Sequence, residues 1–432
     1  MADSGSISER MRADWNERAR VDAHFYVAFG GRDQTEEEFL ATAADVLRSI
    51  EGQLKRLPAQ ANRRTWRALE IGCGPGRLMR PLSRHFGEIH GVDVSDEMIR
   101  LGRERLRDIP HAHFHTTDGA TLPQFADESF DFIYSYAVFQ HIPSRDVVLE
   151  YMREIRRLLK PGGVFHGQFN GLAPSGEADT WGGVAFSAED IHRFTRENGL
   201  RLLNLEGEHT QYMWTTWAAL TARPFNPAAP EDRPPIIRRI TNAYTGDSLI
   251  PQRGRQAALS IWITDLPADC DLNNVEILVE GEPGVPIYIG PADPQGLQQV
   301  NAWLPEGVRT GLVPVELRVH GRALCPVAMA RVIPPGPLVP RIVSVTDGVN
   351  LVLKNATNTG LVKVQIEEVL SPDEIRATID DQPVPVAIFR IDPRPPRHNL
   401  DIQMPQGIAK GPHTLKIRIG THRSLIAPIA LC

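Results

Sequence analysis

The apolar positions of this chain change period along its length. Near the amino terminus Ala44, Leu47, Ile50 and Leu54 recur at three- and four-residue steps, which predicts an amphipathic helix. Thr35 followed by Glu36, Glu37 and Glu38 suits a helix start, because a side-chain oxygen and early acidic groups satisfy the free amides and the dipole. From Trp66 to Leu220 short apolar runs alternate with helical stretches. The runs Ala68–Ile71, Ile89–Asp93, Ala112–Thr117, Phe130–Tyr136, Val164–Phe169, Leu200–Leu205 and Tyr212–Leu220 predict strands. Helices are expected near Leu78–Phe86, Asp96–Leu106, Val147–Leu159 and Ala188–Asn198. Such alternation predicts a doubly wound α/β sheet, which binds ligands beyond the carboxyl ends of its strands.

After Ala222–Pro235, a proline-dense stretch that reads as a linker, the period falls to two. Here the chain repeats itself. An offset of 100 sets Leu304-Pro305-Glu306-Gly307 on Met404-Pro405-Gln406-Gly407, and Val315–Val319 on Leu415–Ile419. About 95 residues per copy, with alternating strands bounded by Gly and Pro, fits a small β-sandwich. The expected organisation is a helical cap over 1–60, an α/β domain over 61–223, a linker over 224–235, and repeats over 236–335 and 336–432.

Composition sharpens this division. Of 35 prolines, 8 lie in residues 1–223 and 27 in residues 224–432, so the second half cannot be built from long helices. A net charge of −6 supplies no general basic surface for nucleic acid. Cys73, Cys270, Cys325 and Cys432 show no zinc-ligand spacing, and a Cys270–Cys325 bridge stays open as an alternative to free thiols. MADSGSISER lacks a signal-peptide core and no apolar run reaches about 18 residues, so a cytoplasmic protein without a membrane span is expected.

The chemistry concentrates in Leu69-Glu70-Ile71-Gly72-Cys73-Gly74-Pro75-Gly76-Arg77, a strand that stops in a glycine turn and opens a helix. The next strand ends at Asp93, 21 positions after Gly72, where a carboxylate can accept from both ribose hydroxyls. A third strand ends in Thr117-Asp118-Gly119. These motifs, with Phe130–Ser135 and the expected tight turn Leu159-Lys160-Pro161-Gly162-Gly163, resemble the class I S-adenosylmethionine-dependent methyltransferases of the type 11 group over about residues 60–220. The resemblance implies a Rossmann-like seven-stranded sheet of order 3-2-1-4-5-7-6, with S-adenosyl-L-methionine as cofactor and S-adenosyl-L-homocysteine as product. It implies that Glu70, Gly72 and Gly74 border the methionine moiety, with Cys73 and Gly76 of the same turn and Val94 beside Asp93 also in the cofactor site. Asp93 would hold the ribose, Ser95 and Met98 flank the adenine, and Asp118 with the Gly119 amide bind its edge. Tyr136 would sit near the sulfonium. The repeats resemble immunoglobulin-like domains of the IPT/TIG kind.

Methyl transfer is an in-line displacement, and a base is needed only for an acceptor that arrives protonated. His141 is the candidate, and packing or capping is its competing role. Met98 suits a core position as well as an adenine contact. His111, His113 and His115 alternate along one strand, but neighbours about 7 Å apart do not converge on one zinc, so no metal site is expected. Trp15, Phe25, Tyr26 and Phe29 are candidates for a lid. Trp181, Trp214 and Trp217 are candidates for lining the acceptor pocket, with Trp214 and Trp217 on opposite sheet faces. The reading is therefore a methyltransferase for a small-molecule or sugar-like acceptor. A scaffold whose repeats recruit partners and a nicotinamide oxidoreductase are the competitors, and the repeats leave contacts with a second copy or a protein partner open.

Overall fold

The computed structural model describes residues 4–28, 34–57, 63–172, 178–208, 210–220, 234–254, 256–337, 339–348, 354–369, 371–392, 397–421 and 424–432. Most of the expected linker over 224–235, and Phe29, lie outside them.

Three helices form the amino-terminal layer: α1 (Ser4–Ala28), α2 (Glu36–Ala41) and α3 (Ala44–Gln53). Asp22 interrupts α1 with extended backbone (φ −169°), and its carboxylate accepts from the Phe25 amide to restart the helix. Thr35 caps α2 in a reciprocal capping box with Glu38.

The α/β unit runs β1 (Arg67–Ile71), α4 (Met79–Leu82), β2 (Glu88–Asp93), α5 (Asp96–Arg105), β3 (Ala112–Thr116), β4 (Phe130–Ser135), α6 (Arg145–Leu158), β5 (Leu159–Phe169), α7 (Ala188–Glu197), β6 (Leu200–Glu206) and β7 (Met213–Ala219). Its strands lie in the order β3-β2-β1-β4-β5-β7-β6, with β7 antiparallel to β5 and β6. Side chains alternate between two apolar layers: Leu69, Phe130 and Ile133 enter one, Ala68, Phe132 and Tyr134 the other. Val46 and Ile50 of α3 close the second layer.

Two expectations fail locally. The run Leu159–Gly163 is not a turn between helix and strand: Leu159 already pairs with Phe130, and the ladder shifts register before Phe132. Gly162, at φ +77°, absorbs the irregularity within the strand. The helix expected over Leu78–Phe86 is a single α-turn followed by a 3₁₀ turn at Ser83–His85.

The first repeat contains β8 (Ile236–Asn242), β9 (Leu249–Pro251), β10 (Ala258–Thr264), β11 (Val275–Val279), β12 (Glu282–Pro283), β13 (Val285–Ile289), β14 (Leu297–Trp303), β15 (Gly311–Val319), β16 (Arg322–Ala323) and β17 (Ala328–Ile333). The second contains β18 (Arg341–Asp347), β19 (Ala356–Thr357), β20 (Leu361–Glu367), β21 (Ile375–Ile379), β22 (Gln382–Val384), β23 (Val386–Asp392), β24 (Arg397–Gln403), β25 (Gly411–Ile419) and β26 (Leu425–Leu431). Both use one topology. The order β13-β14-β10-β8 in the first returns as β23-β24-β20-β18 in the second, and β12-β11-β15-β17-β9 as β22-β21-β25-β26-β19.

Their settings differ. In the first repeat β13 pairs with β6, so the expected seven-stranded sheet continues into an eleven-stranded one. The β13–β14 ladder shifts register between Pro286 and Tyr288, just before the contact. The backbone amide of Leu202 donates to Asp271 (3.1 Å), that of Leu272 donates to the Leu202 carbonyl (2.8 Å), and Arg201 donates to the Cys270 carbonyl (2.8 Å). Leu202, Leu205 and Trp217 share one apolar core with Leu259, Ile261 and Ile277. The first repeat is thus welded to the α/β unit, whereas the second encloses a core of its own around Val364, Ile379, Leu400 and Ile417. All four cysteines are free thiols, Cys270 and Cys325 included.

Candidate active site

At the carboxyl end of β1 the amides of Gly72 and Cys73 donate to the Val92 carbonyl (2.8 and 3.0 Å), tying the glycine turn to β2. Gly72 sits at φ +70°, and a Cβ there would lie 2.2 Å from a Val138 methyl, so both backbone and space demand glycine. Asp93 completes the corner: one carboxylate oxygen accepts from the Gly74 amide and the other from the Ser95 amide, each at 2.9 Å. Burial pushes its carboxyl up to about 6 against the pull of those amides.

A cleft with about 850 Å³ of space free of protein atoms opens over this corner. It brings together Glu70, Gly72, Cys73, Gly74, Asp93, Val94, Met98, Tyr136 and His141 of the sequence candidates. Gly76 is not in the lining. Ser95 also stands back: it caps α5 through the Met98 amide (3.1 Å), and its hydroxyl donates to Asn16 (2.8 Å). Asp118 and Gly119 lie outside the lining too. The Asp118 carboxylate is exposed and accepts from the amides of Ala120 and Thr121 and from the Thr121 hydroxyl, which is the role of a turn cap.

Glu70 is buried, and burial pushes it up to about 8; the Tyr134 hydroxyl donates to it at 2.9 Å. Tyr136 stacks on Trp214 (5.9 Å between ring centres), which in turn stacks on His166 (4.6 Å). Trp214 and Trp217 do fall on opposite sheet faces, and neither lines the cleft. The Nδ1–H of His141 donates to the Trp181 carbonyl (2.8 Å), because a carbonyl oxygen can only accept. Nε2 is therefore the basic nitrogen, and burial pulls the imidazole down to about 4.

The amino-terminal layer covers the cleft. Met11, Trp15, Tyr26 and Val27 line it. Asn16 accepts from Ser95 and Glu97 of α5, and Arg12 donates to the Thr117 carbonyl (3.0 Å). Arg18, with Trp15 and Trp181 rings 4.6 and 5.3 Å from its guanidinium carbon, donates to both the carbonyl and the hydroxyl of Thr180 (3.0 Å each). The same hydroxyl donates to Asp14 (2.6 Å).

Eight lining residues carried no assigned role in the sequence: Met11, Val27, Arg77, Leu78, Ala137, Val138, Ile142 and Tyr151. Only Arg77 had a signal, its place directly after the glycine turn. The histidine comb is a sheet-face cluster, with His90 of β2 between His113 and His115 and its Nδ1 3.2 Å from His115 Nε2. Among the described residues no set of three or more His, Cys, Asp or Glu side chains has an arrangement that could hold a metal ion.

A glycine turn, a strand-end carboxylate and a covered cleft define a nucleotide-type ligand site on a doubly wound sheet. Residues 69–166 match the family model described as a methyltransferase domain. The chain thus contains a segment that matches a methyltransferase domain. Among curated proteins it is 35% identical over 120 residues to methyltransferase GfsG of Streptomyces halstedii, spanning 27% of this chain and 41% of that protein. It is 37% identical over 98 residues to phosphoethanolamine N-methyltransferase 2 of Caenorhabditis elegans (22% of each), and 29% identical over 140 residues to demethylmenaquinone methyltransferase of Staphylococcus saprophyticus (28% of this chain, 58% of that one). Each alignment spans less than two thirds of the relative's length. Among solved structures, geranyl diphosphate C-methyltransferase from Streptomyces coelicolor A3(2) aligns over 50% of this chain and 98% of its own, at 16% identity and a TM-score of 0.37.

Proposed function

We propose that the whole chain is an S-adenosylmethionine-dependent methyltransferase that methylates a small-molecule acceptor. The observation that carries this reading is the cleft at the glycine turn, with the Asp93 carboxylate beside it, inside the segment that matches the methyltransferase domain. The residues fit the group chemically. Each Asp93 oxygen spends one lone pair on a backbone amide, which leaves acceptor capacity for two hydroxyls of a ribose.

When bound, the cofactor supplies a sulfonium methyl group, already activated toward displacement. The chain's part is to align and to exclude water. Glu70, Gly72, Cys73 and Gly74 border the amino-acid arm, Asp93 holds the ribose, and Val94 and Met98 border the base. Tyr136 forms the wall toward the acceptor, held by the stack on Trp214. His141 stays neutral at physiological pH with its basic nitrogen at Nε2, so it takes a proton only from an acceptor that loses one readily. The relatives' names span a quinone precursor and an amine, which keeps the acceptor at the level of a small molecule.

Isothermal titration with S-adenosylhomocysteine tests this. Saturable binding to the intact chain is expected, lost at least tenfold in Asp93→Ala and partly kept in Asp93→Asn, which retains one oxygen. Absence of binding to the wild type would overturn the reading. Binding without transfer of a labelled methyl group to any of a broad acceptor set would favour the scaffold instead.

A further inference from the structure

Arg77 is an anomaly in the cleft wall. It is 5% exposed, it lines the cleft, and among the described residues it forms no ion pair. Its Nη1 donates to the Thr42 hydroxyl at 2.8 Å, while Nε is buried without a hydrogen-bond partner. The Thr42 hydrogen is spent on the Phe39 carbonyl (2.6 Å), so its oxygen can only accept, and that fixes the guanidinium's direction. The rings of Tyr136 and Phe39 lie 5.6 and 5.9 Å from the guanidinium carbon. A buried cation with no ion pair costs several kcal/mol, and a guanidinium fork matches a carboxylate in bidentate geometry.

We propose that Arg77 anchors the α-carboxylate of the cofactor's amino-acid arm, with Thr42 of the amino-terminal cap as its positioning residue. This rests on the function proposed above. Three observations converge on it. Arg77 follows the turn that borders that arm, it lines the cleft with its Nε hydrogen unsatisfied by any residue, and the buried Glu70 carboxyl in the same wall supplies a partner for the arm's ammonium. Cofactor capture and closure of the cap are then one event, because Thr42 follows α2 directly.

The test compares two ligands by titration calorimetry on the full chain: S-adenosylhomocysteine, and 5′-methylthioadenosine, which keeps the nucleoside and thioether but lacks the amino-acid arm. Arg77→Met is expected to weaken S-adenosylhomocysteine about 30-fold, the range of a charge-assisted bidentate bond, and to leave methylthioadenosine within about twofold. Arg77→Lys should recover part of the loss, and Thr42→Val should weaken only S-adenosylhomocysteine, by a smaller factor. An unchanged S-adenosylhomocysteine affinity in Arg77→Met would overturn the proposal; if the KM of an acceptor rises instead, the carboxylate belongs to the acceptor. Equal losses for both ligands in Arg77→Lys and Thr42→Val would make Arg77 a structural group. A wild type that binds neither ligand defeats the proposed function itself, and this inference with it.

Discussion

Tyr288 of the first repeat stands in register with Asn204 of β6, and through that pair the α/β sheet runs on into the repeat. The same junction carries the Asp271, Leu272 and Arg201 hydrogen bonds and a shared apolar core. Cutting the chain at residue 223 would expose the β6 edge and strip one side of that core, both of which favour aggregation. We expect residues 1–223 to be insoluble or to melt at least 10 °C below the full chain. Removing 336–432, a unit with its own core, should leave the melting temperature of the remainder within about 3 °C. Differential scanning calorimetry of the two truncations decides this, and a stable 1–223 fragment would refute the weld.

Gly72 and Val138 form a second testable pair. Gly72→Ala should lose most cofactor affinity and destabilise the chain by a few kcal/mol, since its Cβ meets Val138 at 2.2 Å and its φ is positive. Adding Val138→Ala should return part of the stability by relieving the clash, but not all of it, because the backbone strain persists. Urea unfolding of the single and double variants measures both parts.

The strap between α1 and the loop at Thr180 predicts a kinetic effect. Arg18→Ala or Thr180→Val should speed release of S-adenosylhomocysteine severalfold while changing stability by only about 1 kcal/mol. Trp15 and Trp181 flank Arg18, so stopped-flow tryptophan fluorescence reports on it directly. Release at the wild-type rate would remove the strap from the cofactor's exit.

Burial pulls His90 and His141 down to about 4 and His166 to about 3, below the ordinary value near 6.5. Between those values the unfolded chain binds more protons, so the stability these groups contribute is complete above about pH 6.5 and is lost as pH falls toward 4. Glu70, raised to about 8, has the opposite sign: the fold prefers its protonated form, and stability falls as pH rises from about 4.5 to 8. Glu70→Gln should therefore gain stability over the wild type at pH 8 more than at pH 5. Denaturant titrations at the two pH values check this, and equal differences would contradict the buried neutral carboxyl.

Local pattern carried much of this molecule. Strand-helix alternation, the glycine turn with Asp93, and the offset of 100 between repeats are written in residues close together in sequence, where side-chain period and glycine's backbone freedom act locally. The same locality explains the failures. Lys160-Pro161-Gly162-Gly163 has turn composition, yet pairing with β4 draws it into a strand. Asp118 stands at the expected strand end, and its carboxylate accepts from the nearby amides of Ala120 and Thr121, contacts set by the path of the loop. What only the tertiary structure decided is which surfaces meet: β13 on β6, α1 over the cleft, and Thr42 against Arg77. Edge pairing is made by backbone amides and carbonyls that every residue possesses, and a buried guanidinium shows its missing partner only once its surroundings are assembled.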